Sequence, residues 1–265
     1  MANPRPGSSD DDIPDLTDQV SLVEHVAPAS ARPVLAGESH RTLFETRLHA
    51  LGADIRESMA AKVEEPELSA LCFDPVSRVI WRLLDNPRFG LAHARLVAAH
   101  HGNASGLDAI GARGVFANDA EVQRMLLRNP QTPLHLLRRI LGRHRCLEIW
   151  NVCQSHDVTD RNKGTARECL RSRFATCSPE EKVECVLRSE ARALSALSGV
   201  PLDAKSVALL CKQTYTSTLT VRNIASWGPA PPPLLAHLLK QTLVRQNSQL
   251  RQLIKRHANC PASID

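Results

Sequence analysis

Val79-Ile80-Trp81-Arg82-Leu83-Leu84-Asp85-Asn86-Pro87 and, 43 residues later, Val122-Gln123-Arg124-Met125-Leu126-Leu127-Arg128-Asn129-Pro130 are two copies of one phrase. At this offset Val79, Leu83, Leu84, Asn86, Pro87, Leu91 and Arg95 align without a gap with Val122, Leu126, Leu127, Asn129, Pro130, Leu134 and Arg138. The Val and Leu positions recur every three to four residues, which is one face of a helix. Asn-Pro then ends that helix, because the residue before a proline is driven out of the α region. A looser third copy runs through Val221-Arg222, Ile224, Ala225, Gly228-Pro229, Leu234, Leu235, Leu238 and Leu239, and a fourth begins at Leu250-Arg251, Leu253 and Ile254 and ends near Cys260-Pro261. A helix–turn–helix phrase that recurs with a drifting period predicts an all-α chain built as a right-handed solenoid of stacked helix pairs. On that reading residues 74–98 and 118–141 occupy equivalent places. Leu83, Leu84, Leu126, Leu127, Leu134 and Leu137 are then buried between repeats.

Outward from this phrase the chain keeps the same grammar. Asp74-Pro75, Thr132-Pro133 and Ser178-Pro179 each set a capping side chain before a proline, which predicts three helix starts. Upstream, Phe44, Leu48, Leu51, Ile55 and Met59 fall on one helix face after a candidate cap at Ser39, and Pro66 interrupts the chain. Gly102–Gly114 holds four glycines and is predicted to be the weakest helical segment. Thr214–Val221 is β-branched, but its place inside the third copy makes it a loop running into a helix. The middle, 143–215, reads as helical without following the phrase well. About a dozen helices of ~8–14 residues are expected.

Composition agrees. Aromatic residues are 3% of the 265, so Leu, Val, Ile and Ala must fill the core. No apolar run of ~18 residues occurs, which predicts no membrane span. Residues 1–38 are rich in Pro, Gly, Ser and Asp, with an acidic run at Asp10–Asp12, and read as a disordered leader before a helical repeat domain at 39–265. Its segment Leu16–Val26 reads as a helix formed only on contact. Nothing resembles a signal peptide, and the chain reads as cytoplasmic. The eight cysteines are scattered without a CxxC pair and read as reduced, small core residues. Net charge is +5, divided unevenly: residues 1–73 carry 6 Lys and Arg against 13 Asp and Glu, residues 74–265 carry 27 against 15.

The phrase resembles the leucine-rich repeat variant and HEAT-like families of bacterial helical repeats. The resemblance rests on a Val-Arg-x-x-hydrophobic helix, then Asn-Pro-x-Thr-Pro, then a Leu-Leu helix. Here these are Val122–Asn129, Pro130–Pro133 and Leu134–Ile140, with Val221–Leu239 as a degraded copy. It covers residues 74–142 and 216–261. It implies a binding solenoid, and solenoids bind many unlike things. Some members of the first family hold an N-terminal iron–sulfur cluster on grouped cysteines; only Cys72 lies near that end here, so the cluster does not carry over.

Four groups of residues invite a functional reading. Arg78, Arg82, Arg95, Arg124, Arg128, Arg138, Arg139, Arg143, Arg145 and Arg222 fall at related repeat positions, and in a stack they could line one groove that follows phosphates. The alternative is a solvated face with local acidic partners such as Glu121 and Glu148. His144, Cys146, Cys153 and His156 fall within thirteen residues, but only Cys153-x-x-His156 has good zinc-ligand spacing, and no metal or cofactor is assigned. Cys169, Cys177 and Cys185, eight apart, have core spacing. His100-His101 with Asn103 and Asp108 offers acid and base groups, yet no catalytic motif occurs and no catalytic residue is assigned. Trp227, beside Gly228-Pro229 and Pro231–Pro233, is either a protein contact or a turn residue tucked against the next repeat.

Two functions follow. The first is a non-catalytic scaffold for another protein. The second is a nucleic-acid-binding protein with the architecture of HEAT-like DNA glycosylases, which would need Trp81 or Trp150 to wall a base-flipping pocket.

Overall fold

The computed structural model describes residues 39–261, and among them every regular element is helical. The leader 1–38 lies outside the described residues. A π-helical turn, Phe44–Leu48, is followed by α1 (Ala53–Ala60), α2 (Glu67–Leu71), α3 (Ser77–Leu83), α4 (Leu91–His100), α5 (Ala104–Ala112), α6 (Gly114–Ala117), α7 (Ala120–Arg128) and α8 (Leu134–Leu141). Then come α9 (Cys146–Gln154), α10 (Asp160–Thr176), α11 (Pro179–Arg188), a 3-10 turn (Arg192–Ala196), α12 (Ala204–Leu210), α13 (Thr218–Ala225), α14 (Pro232–Lys240), α15 (Thr242–Gln246) and α16 (Ser248–Lys255). Many are shorter than the expected length, while α10, in the stretch that does not follow the phrase, is the longest at 17 residues. No described helix is long and apolar enough to cross a membrane.

Helices pack on their chain neighbours, most extensively α9 on α10, and also on helices two or three places away. One file runs α1, α3, α5 and a second runs α2, α4, α7; further on, α8 packs on α10, α9 on α11, α12 on α14 and α13 on α16. The two copies of the phrase start their helices in register, α3 and α4 at Ser77 and Leu91, α7 and α8 at Ala120 and Leu134. They do not share a file, however: α3 belongs to the first and α7 to the second. Three helices of the files, α3, α4 and α5, precede the second copy and the short α6 joins neither file, so a 43-residue step moves the phrase from one file to the other.

Buried asparagines tie these layers together. Asn86 Nδ2 donates to the carbonyls of Ala60 and Val63 at the end of α1, at 3.0 and 2.9 Å, while its Oδ1 accepts the N–H of Arg88. Asn129 does the same to Ala98 and His101 at the end of α4, both at 3.0 Å, and accepts the N–H of Gln131. The last carbonyls of a helix have no partner within it. A side-chain amide supplies two donors and one acceptor in one group, so the Asn-Pro turn both ends its own helix and caps the one beneath it. Asn162 donates to Leu127 and Asn129, and Asn259 donates to Gly228 and Ala230.

The core is aliphatic, as composition requires. Leu83, Leu84, Leu126, Leu127 and Leu137 are buried. Leu134 is not: it is 40% exposed, and so is its counterpart Leu91 at 39%. Both are the first residue of their helix, where the side chain overhangs the preceding turn. The inward positions are Ala94, Val97 and Ala98 on α4 and Leu137, Ile140 and Leu141 on α8. The upstream face is also broken: Phe44 and Leu48 are buried, but Gly52 separates them from α1, where Ile55 is 53% exposed. Ser39 already lies in a helical turn and does not cap it.

Of the three cap–proline pairs only Ser178-Pro179 starts a helix in the expected way, with Ser178 Oγ accepting the N–H of Glu181. Thr132 instead donates its hydroxyl back to Leu126 O, at 2.6 Å. Asp74 is wholly buried in an ion pair with Arg56, at 2.6 Å, and Oδ1 also accepts the N–H of Val76. Most working caps come without a proline: Asn103, Asp119, Thr159, Asp203, Ser217 and Asn247. The glycine-rich stretch forms α5 all the same. Asn103 caps it, and Gly106 lets the buried His101 ring lie against the helix where any Cβ would stand 2.0 Å from Nε2. Thr214–Val221 is a loop running into α13, as expected.

Candidate functional site

The arginines of the repeats are engaged locally. Arg78 pairs with Asp54 and Glu57, Arg82 with Asp85, Arg124 with Glu121, Arg128 with Asp157, Arg138 with Glu168 and Arg145 with Glu184. Arg95 holds Asp119 through Nε and Nη2, at 3.2 and 2.9 Å, and this contact keeps the Asp119 carboxyl below its ordinary range while Asp119 also caps α7. Arg139 donates to Gly111 O and Arg143 to Asn118 Oδ1, each at 2.6 Å. Each of these arginines through Arg145 therefore has an acid or amide-oxygen partner, within its own helix or turn or on a neighbouring element. Such exposed pairs contribute little stability. Their effect is to flatten the field that a phosphate-following groove would need.

The composition changes at α12. Residues 204–264 contain eight Lys and Arg and neither an aspartate nor a glutamate. Lys205, Lys212, Arg222, Lys240, Arg245, Arg251, Lys255 and Arg256 are all exposed. Arg222 lies on α13 and Arg251 and Lys255 on α16, which pack against each other. This carboxylate-free stretch was readable in the sequence by counting acids in a window. Of the arginines singled out by repeat spacing, Arg222 alone lies in this stretch.

The remaining candidates do not converge. Trp227 is 5% exposed, its carbonyl accepts from His257 Nε2 and its indole N–H has no partner. It is a tucked turn residue and offers no ring to a partner. His101 is buried, with Nδ1 donating to Asp74 O at 3.0 Å, and burial lowers its pKa. His100 stacks on Phe73, Asn103 caps α5, and Asp108 pairs with His135. Trp150 is 7% exposed in the core and Trp81 is on the surface, so they do not wall a common pocket.

Among the cysteines, Cys146 does not meet His144, Cys153 and His156 in a metal-sized group. His144 faces Glu148 and His156 is exposed. Cys146 instead meets Cys177, a residue assigned by spacing to the core alone, together with Glu181. All eight cysteines are free thiols. Burial pushes Cys72, Cys146, Cys153 and Cys185 well above the ordinary thiol range, with Cys153 at about 11 and Cys185 at about 12.

Comparison of the chain with protein-family models, with curated proteins and with solved structures finds no match.

Proposed function

We propose that the chain is a non-catalytic scaffold, a right-handed solenoid of stacked helix pairs similar to the HEAT-like and leucine-rich repeat variant proteins, that binds another protein along its side. The packing of α1 on α3 on α5 and of α2 on α4 on α7, with the asparagines that bridge successive layers, supports the solenoid. The observation that carries the binding reading is Trp81. It is 43% exposed on α3, with its indole N–H 3.5 Å from Ser105 Oγ. Exposed tryptophan is a costly surface residue and a frequent interface anchor. Leu91 and Leu134 add exposed apolar area at repeated positions. The test is affinity capture from the native host after nuclease treatment, with the full chain and Trp81→Ala compared. A protein recovered stoichiometrically by the wild type and lost by the variant supports the reading. Equal recovery of the same proteins by both overturns it.

The basic stretch 204–264, which contains eight Lys and Arg and no Asp or Glu, favours a second reading, nucleic-acid binding. Exposed Gln246, Gln249 and Gln252 alternate in the sequence with exposed Arg245, Arg251 and Lys255, which adds neutral hydrogen-bonding groups to the cations. Duplex binding through it would weaken steeply with salt. Anisotropy titration of a labelled duplex at low salt tests it. Submicromolar affinity that collapses in Arg222→Glu/Arg251→Glu/Lys255→Glu supports it, and absence of binding removes it.

A further inference from the structure

Cys146, Cys177 and Glu181 come together from three consecutive helices. Cys146 is the first residue of α9, Cys177 ends α10, and Glu181 lies in the first turn of α11 behind the Ser178 cap. The two sulfurs are 3.5 Å apart, and the sulfurs and a Glu181 oxygen all lie within 4.8 Å of one another. Bonded sulfurs would stand at about 2.0 Å. Two thiolates at about 2.3 Å from a tetrahedral zinc ion stand about 3.8 Å apart. The observed spacing is thus close to the edge of a metal-centred tetrahedron.

The third ligand is already oriented. Glu181 Oε1 accepts the backbone N–H of Cys146 at 2.9 Å and Arg173 Nε at 3.1 Å, and Oε2 accepts Arg173 Nη2 at 2.9 Å. Such outer contacts fix a ligand before the ion arrives. Cys146 and Glu181 are buried and Cys177 is half-buried, which gives an ion one side of approach. We propose that Cys146, Cys177 and Glu181 form a binding site for one divalent thiophilic cation of the zinc type, which clips the start of α9 to the α10–α11 corner.

Charge supports the assignment. Without metal, both thiols are neutral and Glu181 is balanced by Arg173. Binding exchanges two thiol protons, released to solvent, for one divalent ion. Two thiolates and the carboxylate then face the ion and Arg173, and the group is again neutral. A buried cluster that keeps zero net charge in both states avoids the desolvation cost of an unpaired ion. Because burial holds both thiols in the protonated form, affinity must rise with pH. Three protein ligands leave a fourth position, and Cys185, one turn beyond Glu181 on α11, is a further thiol on the same helix.

The test uses the full chain, reduced and stripped with a chelator, then titrated with cobalt(II) and afterwards with zinc. The expected result is one cobalt per chain, a thiolate-to-cobalt absorption band in the near ultraviolet, release of two protons per ion, and loss of the band when zinc displaces cobalt. Cys177→Ser abolishes the band and Glu181→Gln weakens it, whereas Cys211→Ser, on the remote end of α12, leaves it intact. Circular dichroism confirms that each variant is folded; should Cys146→Ser not fold, the half-buried Cys177 decides. The proposal is overturned if the reduced wild type shows no such band or if the band survives in Cys177→Ser. It is equally overturned if mass spectrometry finds Cys146 and Cys177 joined as a disulfide while the reduced protein binds no ion.

Discussion

Asn86 and Asn129 make the same three hydrogen bonds, one within their own turn and two to a different floor of the molecule, Asn86 to the end of α1 and Asn129 to the end of α4. Replacing Asn129 by alanine strands two buried carbonyls and one N–H. Each buried group left without a partner costs about 1–3 kcal/mol, and partial rehydration lowers the total. Asn129→Ala is therefore expected to destabilise by about 2–4 kcal/mol in urea unfolding. Asn259→Ala, at an exposed site with two similar bonds, should cost less than about 1 kcal/mol. Equal losses at the two positions would show that burial of the bridge is not what gives it value.

The leucine register gives a second contrast. Leu126 is wholly buried and Leu134 is 40% exposed. Leu126→Ala should cost about 2–5 kcal/mol, the range for a large core side chain truncated to a methyl. Leu134→Ala should change stability by less than about half a kcal/mol, as surface substitutions do. A loss below half a kcal/mol for Leu126→Ala would mean that the helix face is wrongly assigned.

What the sequence disclosed and concealed divides along local and distant contacts. The phrase Val79–Pro87 and its copy located two helices and the turns that follow them to within about three residues, because periodicity and Asn-Pro geometry are local. It could not show that the second copy falls in the other file, since that depends on which helix each one meets. Asp74 and Thr132 looked like caps by their place before proline. Their oxygens were taken by Arg56, 18 residues upstream, and by Leu126 O. The arginine stretch 138–145 looked like a site because its carboxylate partners Glu168 and Glu184 are distant in sequence. For the same reason Cys146 was grouped with its neighbours Cys153 and His156, and not with Cys177, 31 residues away.

Gly106 sets two effects against each other. Alanine in a helix interior is favoured over glycine by about 1 kcal/mol. Here, however, the new Cβ would stand 2.0 Å from His101 Nε2 and 2.3 Å from Cδ2. His101 cannot swing aside without losing its bond to Asp74 O. Overpacking of this kind costs typically 1–3 kcal/mol. Gly106→Ala is thus expected to lower the urea midpoint despite the better propensity. Gly164→Ala, where nothing lies within 4 Å of the new atom, should raise it slightly.

Stability should fall on mild acidification, and His101 is the main reason. Its ring is buried, Nδ1 donates to Asp74 O, and Nε2 has no partner. Burial lowers its pKa below the ordinary 6.5, outweighing the Asp74 contacts that raise it; His100 is lowered too, by burial and then by Arg41. Below pH 6.5 the unfolded chain takes up protons at these rings that the folded chain resists. The neutral rings therefore contribute fully above that pH and progressively less as it falls toward the folded values. Carboxylates act in a lower window: Glu65, Glu148 and Glu181 are held below 4.5, so their contribution persists until the pH drops under that value. Urea unfolding at pH 7.5, 6.5 and 5.5 should show a decreasing midpoint. His101→Gln, which keeps a donor for Asp74 O but cannot be protonated, should flatten most of that slope. A wild-type midpoint that is constant or rises toward pH 5.5 would rule out a buried neutral imidazole at this position.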